Sequence, residues 1–109
     1  MADKNELLPG TLDLMILRIL SRGELHGWGI TQRLAELSQS ALQVDEGSLY
    51  PSLYRMEDKG WIEAEWRIRE NNRRAKYYAL TRSGRKQLEK EQEIWERMSA
   101  IITRVLATA

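Results

Sequence analysis

Residues 45–60, DEGSLYPSLYRMEDKG, form a short helical pattern with polar and aromatic groups on its outer side, and they lead directly into WIEAEWRIR at 61–69. In that second stretch Ile62, Ala64, Trp66 and Ile68 alternate with Glu63, Glu65, Arg67 and Arg69, the period of two of a half-buried strand. Asn71 and Asn72 tolerate left-handed backbone and mark a turn bounded by arginines, after which Lys76–Leu80 reads as the return strand. A short helix followed by a basic hairpin is the order of a recognition helix and its wing. Such a helix lies in the DNA major groove, and the hairpin beside it reaches phosphates or the minor groove. The order points to DNA binding.

Within the recognition segment, Leu49, Leu53 and Met56 face inward, which leaves Ser48, Tyr50, Pro51, Tyr54 and Arg55 outward, and Gly60 ends the helix. Pro51 bears on where the helix begins. A start capped by Asp45 would put the proline in the second turn and remove a backbone hydrogen bond, whereas Ser48 as N-cap places it harmlessly in the first. Local physics therefore favours a start near Leu49, with an earlier turn and an irregular join as the alternative. Upstream, Leu12, Met15, Ile16, Ile19 and Leu20 recur at helical spacing before Gly23 and predict a helix over 8–22. Leu7, Leu14 and Leu17 add a second apolar stripe to it, so this helix must be covered on two sides, one by its own domain and the other open to a partner chain. Ile30, Leu34 and Leu37 mark the inner face of a second helix over 28–39.

At 109 residues the chain is one compact unit by length, with no room for a separate catalytic or sensory domain. It has no cysteine, no apolar run near the roughly 20 residues of a membrane span, and a polar, mixed-charge start from Ala2 to Glu6, so a cytoplasmic protein without membrane contact is expected. Net charge is only +1, but its distribution is uneven: Arg67, Arg69, Arg73, Arg74, Lys76, Arg82, Arg85 and Lys86 stand against Glu70 alone. A phosphate backbone would feel that local excess within a screening length of about 8–10 Å.

His26 is the only histidine, and nothing near it has metal-ligand spacing, so it reads as a turn or surface residue and no metal is expected. Gly27-Trp28-Gly29 lacks the strand and third glycine of a dinucleotide site. A nucleophile, base and orienting acid cannot be assembled, which argues against an enzyme, and no cofactor is implied. Tyr50 and Tyr54 share one helix face beside Ser48, Pro51 and Arg55; Tyr77 shares a strand face with Ala75, while Tyr78 and Leu80 belong to the core.

Thr81 is a good N-cap for a last helix that runs to the C-terminus, and it divides the chain into a winged helix-turn-helix unit, 1–81, and a dimerisation helix, 82–109. Leu88, Trp95, Met98, Ile102 and Val105 form a heptad-like seam on that helix, widened by Ile94 and Ile101 and interrupted by Glu91. One small domain cannot hide such a stripe, so a homodimer is expected. Trp95 either packs in the seam or faces its symmetry mate across a slot for a planar ligand. In the second case Met98, Leu7 and Leu14 would be walls, and Asp13 would favour a cation.

The linked stretches LPGTLDLMILRIL, HGWGI, GSLYPSLYRMEDKGWIEAEW and NNRRAKYYALTRSGR resemble the PadR family of transcriptional regulators, in its short form with one C-terminal helix, and they cover nearly all the chain. The fold expected is mainly α with a two-stranded β wing. The resemblance implies a homodimeric repressor of an inverted-repeat operator, with recognition residues Ser48, Tyr50, Pro51, Tyr54 and Arg55 and wing residues Arg73, Arg74, Lys76 and Tyr77. It further implies a planar, drug-like effector between the subunits at Trp95, and control of a transport gene. Trp28 stands where tyrosine is common in the family. Two other readings stay open: a winged-helix module that docks on protein alone, and a DNA-binding regulator without an effector.

Overall fold

The computed structural model describes residues 10–109 as four helices and one three-stranded antiparallel sheet. Gly10 sits at φ +83°, left-handed backbone that cannot continue a helix, so α1 spans Thr11–Leu20 and not the expected 8–22. Leu12, Ile16, Leu17, Ile19 and Leu20 are all buried. Leu17, assigned to a second face needing a partner, is thus covered within the chain; Leu14 and Met15 stay partly open, and Leu7 lies outside the described residues. After the two-residue strand β1 (Leu25–His26), α2 covers Gly27–Leu37. Its inner face is Ile30 and Leu34. Leu37, also expected inward, is exposed.

Helix α3 spans Glu46–Asp58, three residues earlier than the proline suggested. Asp45 is the N-cap, its Oδ1 accepting from Ser48 N at 2.9 Å, and Pro51 lies inside the helix. A carboxylate cap typically contributes about 1 kcal/mol and also meets the positive end of the helix dipole, which helps offset the hydrogen bond that Pro51 cannot donate. Leu49, Leu53 and Met56 bury as expected.

Strands β2 (Ile62–Ile68) and β3 (Arg74–Leu80) pair from Ile62–Leu80 at the root to Ile68–Arg74 at the tip. Asn72 takes φ +62° in the turn, as its side chain allows. A third strand is added to the expected two-stranded wing: β1 pairs with β3 on its other edge, Leu25 with Tyr78 and His26 with Tyr77. Two residues show no periodicity, so sequence could not reveal it. The period-two face of β2 is buried only at the root. Ile62 is in the core, whereas Trp66 and Ile68 are exposed because the hairpin projects beyond the helices that would cover them.

Thr81 caps α4 (Arg82–Thr108), its Oγ1 accepting from Gly84 N and donating to the Gly60 carbonyl at 2.6 Å. Gly84 is buried there, and a Cβ on it would fall on the carbonyl oxygen of Trp61, so the first turn of α4 rests directly on the wing's root. Leu88, expected in a dimer seam, is 6% exposed and packs in the chain's own core. Beyond it Ile94, Trp95, Met98, Ile101, Ile102, Val105 and Leu106 are all exposed. No helix among the described residues is long and apolar enough to cross a membrane.

Candidate nucleic-acid interface

The helical period turns Pro51, Tyr54 and Arg55 to the outer side of α3, while Leu49, Leu53 and Met56 hold the helix on the body. Tyr50, expected outward, is only partly so: a Cβ on Gly27 would stand 2.7 Å from its hydroxyl, so the tyrosine fills the space left by that glycine at the α2–α3 contact. Its ring lies 6.1 Å from that of Tyr54. Ser48 is not outward either, since its Oγ is buried and has no hydrogen-bond partner. With the helix starting at Glu46, Ser48 falls in the first turn and receives the cap through its backbone amide.

Arg55 is exposed, but its guanidinium is tied back to the body. Its Nη2 donates to both oxygens of Asp13 on α1, at 2.7 and 2.8 Å, and reaches Ser52 Oγ at 3.4 Å. Asp13 is buried. The carboxylate expected to attract a cationic ligand beside Trp95 therefore already has a cation, and it does not line the groove that Trp95 occupies.

The basic hairpin divides into paired and unpaired charges. Arg67 donates to both carboxylate oxygens of Glu24, its Nη2 to Oε2 at 2.9 Å, and to Glu65, and its guanidinium lies over the ring of Tyr77. Those hydrogen bonds hold the Glu24 carboxyl below its ordinary range and push Arg67 higher still. Lys76 Nζ meets Glu57 at 3.4 Å. By contrast, Arg69, Arg73 and Arg74 have no carboxylate partner among the described residues; Arg74 lies over Trp66, 5.1 Å from the ring centre. Of these, Arg69 and Arg74 line a cleft together with Tyr54 of α3.

At the edge of this face His26 Nδ1 accepts from Gly29 N at 2.9 Å, and the imidazole packs edge-on against Tyr77. Expected as a turn or surface residue, it is half-buried and serves as the N-cap of α2. Burial, then the positive charge of Arg69, lowers its pKa. Trp28 and Trp66, which sequence reasoning left out of the interface, lie exposed around the same cleft. The available signal was Trp66 flanked by the charged Glu65 and Arg67, but alternation with Ile62, Ala64 and Ile68 assigned it to the core.

On another side, α1, α2 and α4 enclose a groove of about 530 Å³. Leu14, Met15, Ile19, Leu34, Leu37 and Trp95 supply its apolar lining, with Arg18, Gln92 and Glu96 as polar groups. Met98 is not part of it, and lies exposed on α4 with Ile102 and Val105.

A family model described as the transcriptional regulator PadR-like family matches residues 16–90. A transcriptional regulator of Mycobacterium tuberculosis is 35% identical over 86 residues, 79% of this chain and 77% of that protein. The negative transcriptional regulator PadR of Bacillus subtilis is 32% identical over 77 residues, 71% of this chain and 42% of the longer relative. The crystal structure of a PadR-like transcriptional regulator from Bacillus cereus superposes with a TM-score of 0.76 at 30% identity, covering 92% of this chain and 95% of that one.

Proposed function

The chain belongs to the PadR-like family of DNA-binding transcriptional regulators, and from that premise we propose that it acts as a homodimeric repressor on an inverted-repeat operator, released by a planar aromatic effector. The observation that carries the DNA-facing part is the juxtaposition of Tyr54 on α3 with the cations Arg69 and Arg74 on the wing, around one cleft. Phosphates meet the arginines there, while α3 enters the major groove with Tyr50 at its inner margin. Lys76 and Tyr77 stand second to these cations, because Glu57 and Arg67 already engage them.

Assembly is supported by the exposed apolar residues Trp95, Met98, Ile102 and Val105 in the part of α4 that leaves the body. Repression fits the name of the Bacillus subtilis relative. An effector site at Trp95 is supported by the groove between α1, α2 and α4, where Leu14 is a wall and Glu96, in place of Asp13, offers the negative charge that a cationic ring system needs. Control of a transport gene rests on the family resemblance.

Footprinting on DNA that carries an inverted repeat, with half-sites one helical turn or about 34–36 Å apart, tests the reading. Protection of both half-sites is expected, together with its loss when a planar cationic dye is added. The dye should quench tryptophan fluorescence in the parent and not in a Trp95→Ala protein. Protection that is insensitive to every such dye would leave a regulator without an effector.

A further inference from the structure

Between α3, the start of α2 and the inner face of the wing lies an open cleft of about 340 Å³, lined by Trp28, Tyr54, Trp66, Arg69 and Arg74 among others. The three aromatic residues are 64, 56 and 57% exposed. Large aromatic side chains standing together in water are unfavourable unless something covers them, and the rim indicates what does. Arg69 and Arg74 have no acidic partner among the described residues, so the complementary charge is negative. Arg74 lies over the Trp66 ring at 5.1 Å, and this contact leaves its N–H donors for a phosphate. The position of the cleft supplies the rest: it separates the helix that enters a groove from the hairpin that follows the neighbouring backbone.

We propose that this cleft is a subsite for one strand of duplex DNA, in which the rings of Trp66, Tyr54 and Trp28 pack on deoxyribose while Arg69 and Arg74 take the phosphates on either side. The proposal rests on the DNA-binding reading and adds a property to it. Phosphate contacts release counterions and so depend on salt, whereas packing a ring on a sugar removes apolar surface from water and releases none. Binding to any sequence therefore has a component that salt does not weaken, and it resides in Trp66 and Trp28.

The test is a salt titration of the full chain on a labelled random-sequence duplex, followed by anisotropy. Trp66→Ala and Trp28→Ala should each weaken binding about tenfold at every salt concentration, without changing the log–log slope. Trp66→Phe should restore most of the loss. Arg73→Ala, outside the cleft, should instead lower the slope by about 0.9. Should Trp66→Ala fail to fold, Trp28→Ala decides, because Trp28 is largely exposed. Unchanged affinity in folded tryptophan variants overturns the proposal and leaves the DNA reading intact if the Arg73→Ala slope still falls. A slope that drops along with affinity in the tryptophan variants also overturns it. So does saturable binding of a free aromatic carboxylate in a cleft whose tryptophans do not affect DNA affinity. A parent protein with no salt-dependent DNA binding overturns both readings.

Discussion

Nδ1 of His26 accepts the amide of Gly29 at 2.9 Å, and an imidazole can do this only while that nitrogen carries no proton. Burial and Arg69 both lower its pKa from 6.5 in the folded chain, so the unfolded chain takes up the proton first as pH falls. The stabilising contribution is complete above about 6.5 and declines below it, until the folded histidine itself is protonated and the α2 cap is lost. Thermal melts between about pH 7.5 and 5.5 should show this decline, of the order of the 1 kcal/mol of a typical N-cap. His26→Asn keeps an N-cap acceptor without a titrating group, and it should remove the decline across that interval. An equal decline in both proteins would move the pH response elsewhere. The sequence identified His26 as solitary, but a cap depends on the φ/ψ of one residue, which spacing cannot show. Ser48 was misread for the reverse reason: the cap went to Asp45, and the serine hydroxyl turned inward.

Between elements, the Arg55–Asp13 pair joins α3 to α1 across 42 residues of sequence. An arginine on the outer side of a recognition helix reads naturally as a DNA contact, but here its Nη2 is committed to a buried carboxylate, so its first effect is to fix how α3 sits on α1. Arg55→Ala and Asp13→Asn should each destabilise the fold by about 1–3 kcal/mol, and the double variant by clearly less than the sum. If positioning is the whole role, the two variants should lose DNA affinity equally. A distinctly larger loss in Arg55→Ala would mean the free part of its guanidinium touches DNA. Denaturant unfolding together with the same anisotropy titration provides both numbers. At this scale helix order, the hairpin and the core residues of α3 were legible, because each writes a period into the chain. Helix starts and the short β1 were not, since a cap and a two-residue pairing are decided by single contacts.

At the scale of the whole molecule, the far half of α4 carries a run of apolar residues that the other described residues leave exposed. Ile102 is 47% exposed and takes no part in the core cluster, so Ile102→Glu should leave the melting of the body unchanged. Sedimentation should then report a monomer where the parent sediments as a dimer; a dimeric variant would place the interface off this stripe. From Trp95 onward the apolar stripe read from the sequence is exposed, whereas Leu88 is buried in the body, because a heptad pattern does not record where a helix stops touching its own domain. The same limit explains Trp66 and Ile68. Alternation says which side of a strand is apolar and not how far the body reaches beneath it.

Gly84 presses α4 onto the backbone of Trp61 with no side chain between them, and 24 residues of helix follow it to Thr108. At about 1.5 Å per residue that is an arm of roughly 36 Å, so a tilt of about 5° at the seat swings the far end by roughly 3 Å. The arm works in both directions: a modest force on the tip becomes a large torque at the wing's root, and a slightly loosened seat becomes a large error of aim. A methyl group at position 84 would thus act as a misaligned bearing, harming function from a place that touches neither nucleic acid nor a second chain.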